Sequence, residues 1–267
     1  MVELSVVGSV SHGPSGDVVV LEPGVPYLSK LLPRAAVCSA LLVMATAGPA
    51  SAGTWARAYG GSGSDEARAV QQTSDGGFVV AGLTSSSGAG LSDAWILKLN
   101  GSGSVQWERT YGGTNNDDAQ SIHQTADGGY VFAGQTASFG QGGPSDFWVV
   151  KLDSSGGIQW QKTYGGTCID DAHAVQQTSD GGYVGAGNSC SFGFVGSGDV
   201  WVVKLDSSGG IVWESTYGFA SATEVATSIQ ELSGGGYIVA GYTDVSNPPM
   251  NPPPSDNDFW FFKIDAS

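Results

Sequence analysis

Hydrophobic and polar residues alternate in short runs along most of the chain. In residues 146–152 (DFWVVKL), the side chains from Trp148 to Leu152 fall in turn on the two faces of an extended strand. Residues 153–157 (DSSGG) are turn-forming, and residues 158–164 alternate again as a return strand. No segment shows helical spacing of apolar residues over ten or more positions. The pattern predicts an all-β protein built of short antiparallel strands.

Two series of tryptophans show that these strands recur as internal repeats. Each repeat reads W-x-x-x-Y-G, an acidic pair, an alternating run, D-G-G-aromatic-V-x-A-G, a Gly/Ser loop and D-x-W-x-x-K. The two series are Trp55, Trp107, Trp160 and Trp213, and Trp95, Trp148, Trp201 and Trp260. Four short strands in about 50 residues are typical of a β-propeller blade. We label them A (D-G-G-Y-V), B (D-x-W-V-V-K), C (W-x-x-x-Y) and D (A-x-x-V-Q-Q-T).

The order of these strands predicts how a ring would close. The repeat region begins with strands C and D and ends with strands A and B, so its two incomplete halves complement each other. The strands fall at 55–59 and 67–73, then in complete sets at about 76–125, 128–178 and 181–232, and finally at 236–241 and 258–265. Pairing the leftover halves would hide sheet edges that otherwise promote aggregation. We predict one closed four-bladed propeller, with a fragment or a two-chain ring of eight blades as alternatives.

The hairpin sequence K-L-D-S-S-G-G-I-Q-W at 151–160 resembles that of quinoprotein-dehydrogenase-like propellers, in which a Gly four residues before a Trp recurs in each blade. The whole repeat is similar to a widespread group of secreted bacterial proteins with tandem W-x-x-x-Y-G-G and D-G-G-Y-V-x-A-G blocks. The resemblance covers essentially all of 53–267 and implies the propeller fold. Equivalents of the cofactor-stacking and metal-ligand residues of the quinone-binding enzymes are not found, so no cofactor is carried over.

Residues 1–52 are predicted to be a leader. Lys30 and Arg34 flank the start of an apolar stretch at 35–47, and Ala50-Ser51-Ala52 follows. A basic region, a short apolar core and an A-x-A site are typical of a secretory signal peptide. We therefore expect a mature, secreted domain at 53–267. No apolar run is long enough to remain as a membrane span after processing.

Composition narrows the classes of partner. The chain has 10 Lys and Arg against 25 Asp and Glu, a formal net charge of −15. So few basic groups make nucleic acid an unsuitable partner, because there is little to neutralise its phosphates. Eight Trp, 9 Tyr and 10 Phe exclude a disordered chain. The expected partners are a polysaccharide, another glycan or an extracellular protein, bound by a monomer or a strand-exchanged oligomer.

The loops at the two ends of the strands differ in variability. The D-G-G and D-S-S-G-G turns share one face and hardly change between repeats, whereas the A–B and C–D loops share the other face and vary. We interpret Asp75, Asp127 and Asp180 of the D-G-G turns as turn-formers. Calcium is the weaker alternative, because it needs six or more converging oxygens. No metal site is predicted, and His173 beside the loop acids does not change this, since one histidine is a weak zinc signal.

The variable loops hold the candidate site residues, since binding residues concentrate in loops on a rigid frame. The predicted ligand-binding residues are Phe139, Phe192, Phe194, Asp65, Glu66, Asp117 and Asp170. The acidic pairs could instead supply the two carboxylates of a glycoside hydrolase. The catalytic candidates would then be Asp117, Asp118, Asp170 and Asp171. Because the pairs recur, a structural role is also expected, capping the loop or meeting a blade lysine (Lys98, Lys151, Lys204 or Lys263).

Two loop cysteines are predicted to form a disulfide. Cys168 lies in a C–D loop and Cys190 in the following A–B loop, which the predicted topology places on one face of adjacent blades. In a secreted protein such a pair can oxidise. The sequence contains no G-x-S-x-G, H-E-x-x-H, P-loop or Rossmann motif. We favour a secreted binding or scaffold module, and a secreted polysaccharide hydrolase is the alternative.

Overall fold

The computed structural model describes residues 54–140, 142–193, 198–220, 222–244 and 257–265. The chain divides into two compact units, 1–59 and 60–267. In the described part of the first unit, residues 54–59 form no strand. The described part of the second unit contains fifteen strands. They are β1 (Asp65–Gln72), β2 (Phe78–Thr84), β3 (Asp93–Leu99), β4 (Val105–Tyr111), β5 (Ser121–Gln124), β6 (Tyr130–Thr136), β7 (Asp146–Leu152), β8 (Ile158–Tyr164), β9 (Asp170–Gln177), β10 (Tyr183–Ser189), β11 (Asp199–Leu205), β12 (Ile211–Tyr217), β13 (Glu224–Glu231), β14 (Tyr237–Thr243) and β15 (Asp258–Ile264).

The strands form four antiparallel sheets in chain order, which confirms the all-β prediction. Sheet 1 contains β1–β4, sheet 2 contains β5–β8, sheet 3 contains β9–β12, and sheet 4 contains only β13–β15. Each strand pairs with its neighbours in sequence. The arrangement is consistent with successive blades of a propeller.

The grouping of strands into sheets differs from the prediction. Sheets 1–3 run D-A-B-C, not A-B-C-D, because the D-G-G turn joins strands D and A into a tight hairpin, and sheet 4 runs D-A-B. In sheet 1 the amide of Gly76 donates to the carbonyl of Thr73 at 2.9 Å, and Gly76 has a φ of +78°. Only glycine adopts that conformation without strain. A turn this short pairs the two strands that it connects.

This grouping bears on how a ring could close. The first D strand, predicted at 67–73, is β1 and pairs with β2. The predicted C strand at 55–59 does not form. Within the described residues, β15 is bonded to β14 alone. Among the described residues, no strand of the first repeat pairs with β14 or β15.

Apolar residues fill the junctions between successive sheets. In β7, Trp148, Val150 and Leu152 pack with residues of sheet 1, whereas Phe147 and Val149 pack with residues of sheet 3. The middle sheets are thus apolar on both faces, as expected for sheets buried on both sides. A third cluster joins sheets 3 and 4.

The first strands of successive sheets lie side by side along the inner edge of the series. The side-chain carbonyl of Gln71 accepts the amide of Gln124 at 2.6 Å, and that of Gln124 accepts the amide of Ser74 at 2.8 Å. Gln177 and Glu231 repeat such bonds further along. These bonds hold the glutamines of the V-Q-Q-T motif between sheets.

Candidate binding face

The first acid of each C–D loop clamps that loop to the following A–B loop. Asp117 is 1% exposed; one oxygen accepts the Thr136 hydroxyl, and the other accepts Ser138 Oγ at 2.6 Å and Gly113 N at 2.8 Å. The same contacts recur at Asp170 with Ser189, Ser191 and Gly166, and at Asp65 with Thr84, Ser86 and Gly61. Several charge-assisted bonds to one carboxylate hold it strongly. The predicted site residues Asp65, Asp117 and Asp170 therefore support the loops that surround them.

The fourth repeat carries a weaker version of this clamp. Glu224 replaces the aspartate, is fully buried, and accepts the Thr243 hydroxyl at 3.0 Å. Burial raises the pKa of Glu224, and the nearby carboxylate of Asp199 adds to the effect. Burial thus favours the neutral acid at this position.

A second aspartate, at the start of strand B, folds the A–B loop back on itself. Asp93 is 1% exposed and accepts the amides of Ala89 and Gly90 at 2.9 and 3.1 Å. The glycine after the C-strand tyrosine lies between this acid and the clamp acid of the next sheet. A Cβ on Gly165, which has a φ of +148°, would lie 2.6 Å from an oxygen of Asp146 and 2.6 Å from an oxygen of Asp170. The Y-G pair of the repeat is therefore required by close packing.

The second acids of the C–D loops lie apart from the clamps, in polar contacts near the inner edge. Asp118 accepts the side-chain amides of Gln120 and Gln135 at 3.0 and 3.1 Å. Asp171 accepts Ser145 Oγ at 2.7 Å, and its burial raises its pKa, as does the nearby Asp118. Of the four catalytic candidates, these two are free of the clamps.

Two other polar residues of this region, Glu66 and His173, are more exposed or differ between repeats. Glu66 forms an ion pair with Arg68 at 2.9 Å. His173 Nε2 lies 2.9 Å from Asn188 Oδ1. Within the described ranges, no three His, Cys, Asp or Glu side chains are grouped so as to hold a metal ion.

Three of the four blade lysines pair with the D-G-G aspartates at the opposite end of the sheets, so the suggestion that they meet the loop acids is wrong. Lys98 Nζ lies 2.9 Å from Asp75, and the buried Lys151 and Lys204 contact Asp127 and Asp180 in the same way. The lysine lies near the end of strand B, beside the D-G-G turn, whereas the loop acids lie at the start of that strand, so of these acids the lysine reaches only the turn aspartate. Although burial opposes the shift, the bonds from Lys151 and a threonine hydroxyl lower the pKa of Asp127 to about 2.

Two predicted aromatic residues line the variable face. Phe139 is 37% exposed and packs on Trp148 with ring centroids 5.9 Å apart; Phe192 is 38% exposed and packs on Trp201 at 4.9 Å. The buried tryptophans hold the two rings at the rim while one side of each stays open to solvent. Phe194, the third predicted aromatic residue, lies outside the described residues.

Phe192 borders a groove of about 460 Å³ between sheets 2 and 3. Its other lining residues combine aromatic, hydroxyl and carboxylate groups. They include Tyr164, Trp201, Thr163, Thr167 and Glu214. A larger groove of about 630 Å³ adjoins Trp95 and Glu108 of sheet 1, where Ser87 stands in place of the phenylalanine.

The predicted disulfide is confirmed. Cys168 and Cys190 are bonded, with their Cα atoms 5.5 Å apart. They join the loops before β9 and after β10, so both belong to sheet 3, not to adjacent blades. In sheet 2 the same place is bridged by a hydrogen bond of 2.9 Å from the Asn115 side-chain amide to the carbonyl of Ala137. The disulfide fixes the base of the loop that carries Phe192.

The clamp partners were missed in the sequence reasoning. The A strands of sheets 1–3 each end in a hydroxyl residue, which is followed by any residue and then serine, at 84–86, 136–138 and 189–191. This T/S-x-S pattern recurs at a constant spacing after the C–D loop aspartate. That constant spacing could have indicated that the hydroxyls and the aspartate are partners. In the fourth repeat Val245 occupies the serine position, and the acid there is the glutamate.

No family model matches the chain, and no curated protein matches it. Among solved structures, a crystal structure described as that of the eukaryotic initiation factor is similar with 8% sequence identity and a TM-score of 0.31. The match covers 74% of this chain and 52% of that chain, so the chain spans about half of that protein's length. In the portion described, no helix could cross a membrane.

Proposed function

We propose that the chain is a secreted binding module that takes a glycan or cell-wall polymer on the face formed by its A–B and C–D loops. The observation that carries this proposal is Phe192, half-open to solvent at the rim of a groove lined by hydroxyls and a carboxylate. An aromatic ring covers the apolar face of a sugar, and oxygen-bearing side chains bond its hydroxyls. Glu214, Thr163 and Thr167 supply those groups here.

The rigidity of this face supports a binding role. The clamp aspartates and the disulfide hold both loops of sheet 3 before any ligand arrives. Preorganised loops lose less conformational entropy on binding, which raises affinity. The second aromatic rim, at Phe139 on the neighbouring sheet, offers a similar contact. Two weak contacts to one repeating polymer add through avidity.

The closed propeller and the secreted location belong to the same proposal. Sheets 1–3 each end in a W-x-x-x-Y strand, and sheet 4 ends at β15 within the described residues. We propose that these sheets are successive blades of a closed propeller ring. Secretion is supported by the predicted signal at 1–52 and by a disulfide that suits an oxidising compartment. An extracellular protein is the alternative ligand.

A polysaccharide hydrolase is the second candidate, restricted to Asp118 and Asp171. The observation that favours it is the raised pKa of Asp171 beside Asp118, because glycoside cleavage needs one protonated and one ionised carboxyl group. Both residues bond to neighbouring polar side chains, which also suits a purely structural role.

One experiment separates the two candidates. The full chain is expressed in a secreting host, and the purified product is incubated with a panel of polysaccharides, scoring depletion of protein and release of reducing ends. Binding predicts depletion without release, and loss of depletion in Phe139→Ala/Phe192→Ala. Val212→Ala, an exposed residue of β12, is the matched control. Release that disappears in Asp118→Asn/Asp171→Asn would establish the hydrolase and contradict our choice.

A further inference from the structure

The last sheet leaves one apolar face exposed to solvent. On β15, Phe259 is 77% exposed and Phe261 is 62% exposed. Residues at the same two positions of the other sheets are at most 1% exposed. They are Ala94 and Ile96, Phe147 and Val149, and Val200 and Val202. Those residues are covered by the next sheet in the series, whereas no sheet follows sheet 4 in the part of the chain that the structure describes.

The first sheet is exposed along β1 on its opposite face, although Leu97 and Leu99 of β3 are buried on that same face. Val70 on β1 is 68% exposed, whereas its equivalents Ile122, Val175 and Ile229 are 5–7% exposed. Ala67 is also exposed, although the alanine at that position is fully buried in each of the other sheets. These residues face the side on which sheets 2, 3 and 4 each contact a preceding sheet.

The internal junctions show that these two exposed faces are complementary. Between sheets 2 and 3, Phe147 packs edge-on against Trp201 with ring centroids 5.4 Å apart, and Val175 belongs to the same cluster. By repeat equivalence, Phe259 holds the place of Phe147, and Trp95 and Val70 hold the places of Trp201 and Val175. The last sheet therefore carries the side chains that fit onto the first sheet.

We infer that these faces pair between two copies of the chain, head to tail, so that eight sheets close into one ring. Three similar junctions are formed within the chain, and Phe259, Phe261 and Val70 on the two end faces are still exposed, so the partner that fits these residues is a second copy. A contact between unlike faces forms a closed ring when the rotation allows and a filament when it does not. A two-copy ring covers all four end faces.

This inference rests on the proposed ring and not on glycan binding. Contiguous exposed apolar surface on a soluble protein commonly marks an interaction site. The exposed pair consists of two phenylalanines, whose truncation is costly at interfaces where they are buried. Since both are open to solvent within one chain, replacing them leaves the internal junctions intact.

The test is the mass of the full chain, produced in a secreting host and measured by sedimentation equilibrium over a range of concentrations. We expect twice the chain mass for the wild type and for Val212→Ala. Phe259→Ala/Phe261→Ala and, separately, Val70→Glu should weaken dimerisation at least about a hundredfold. Circular dichroism of each variant checks that the fold is kept.

A mixing experiment tests the head-to-tail geometry. Phe259→Ala/Phe261→Ala keeps an intact first sheet, and Val70→Glu keeps an intact last sheet. A mixture of the two variants should therefore form heterodimers at concentrations where each variant by itself is monomeric. A monomeric wild type, whether its ring is closed within one chain or left open, would overturn the inference. Filaments, or a dimer that survives both sets of substitutions, would overturn it equally. None of these outcomes depends on whether the protein binds polysaccharide.

Discussion

Two strands of nearly the same sequence lie in opposite environments. β7 reads DFWVVKL and every residue in it is buried, whereas β15 reads DFWFFKI and has no buried residue. Phe147 of β7 is fully buried, and Phe259, the same residue at the same place, is 77% exposed. Burial in this repeat is thus set by whether a neighbouring sheet exists and not by the strand itself.

This comparison indicates that the apolar junctions between successive sheets contribute most of the free energy that stabilises the fold. The middle sheets contribute apolar side chains to two junctions each, and each end sheet contributes to one. The predictions below compare matched positions of middle and end sheets, beginning with the largest effect.

The largest effect is expected from truncating the buried phenylalanine of β7. Phe147→Ala should lower the free energy of unfolding by about 3–5 kcal/mol, because it removes a large buried side chain and leaves a cavity. Phe259→Ala should cost less than about 1 kcal/mol in the monomer, since its ring is largely solvated there. Urea unfolding at low protein concentration measures both; equal costs would remove the contrast between middle and end sheets.

Opening the disulfide should come next. Cys190→Ser opens a cross-link between residues 22 apart, which the chain-entropy model values at roughly 3 kcal/mol. Asn115→Ala, at the equivalent place in sheet 2, removes only a hydrogen bond and should cost about 1 kcal/mol. Thermal unfolding of the two variants gives the ranking, and a larger loss for Asn115→Ala would contradict it.

The clamp acids should respond unequally to neutralisation. Asp170→Asn replaces a buried carboxylate that accepts bonds from two serines and a backbone amide, and should cost about 2 kcal/mol. Glu224→Gln should cost less, because burial already favours the neutral acid at that position. Chemical denaturation at neutral pH compares them. A Glu224→Gln variant as unstable as Asp170→Asn would refute the weaker-clamp interpretation.

The smallest expected effect is the loss of stability at low pH that follows protonation of Asp127. The pKa of Asp127 is lowered to about 2 in the folded state, below an unfolded value of about 3.9. The unfolded chain therefore binds this proton first, and the contribution of the Lys151 pair is lost as the pH falls from about 5 towards 2. We expect at most about 1 kcal/mol, because the Asp127 side chain is half-exposed and water screens the pair.

Asp127→Asn should flatten the dependence of the urea midpoint on pH over that window. Sheet 4 offers the internal control, since the sequence has Ser233 and Gly234 near the turn and Lys263 contacts Asp265 at 3.7 Å instead. Asp265→Asn should leave the pH profile unchanged. An unaltered slope in Asp127→Asn would exclude this pair as its cause.

Much of the local structure could be predicted from the sequence. Period-two alternation located the A, B and C strands of the sheets, because successive side chains of a strand face opposite sides. The D-G-G motif located the hairpin turns, because a turn with positive φ favours glycine. The partner of Cys168 was predictable because loops sort by face in an antiparallel sheet. The grouping of strands was not, since a tandem repeat reads the same from any starting strand.

The roles of the acids were also beyond the sequence. Asp117 and Asp118 are adjacent, yet the first is a clamp bonded to Thr136 and Ser138 and the second contacts Gln120 and Gln135. Alternation predicts that two adjacent side chains lie on opposite faces of the strand, but it does not predict which face carries the hydroxyl groups that bond the first acid. Likewise, Trp148 and Trp95 look alike in sequence, and only the stacking of the sheets makes the first fully buried.

The most direct test of the account is amide hydrogen exchange of β15 and β7 measured in one sample at rising protein concentration. The account predicts slow exchange in β7 at every concentration, and exchange in β15 that is fast when dilute and slows as the end faces pair. Exchange in β15 that is slow even at high dilution would show that the ring closes within one chain. Exchange that stays fast at all concentrations would show that the last sheet has no partner, and either result would contradict the account.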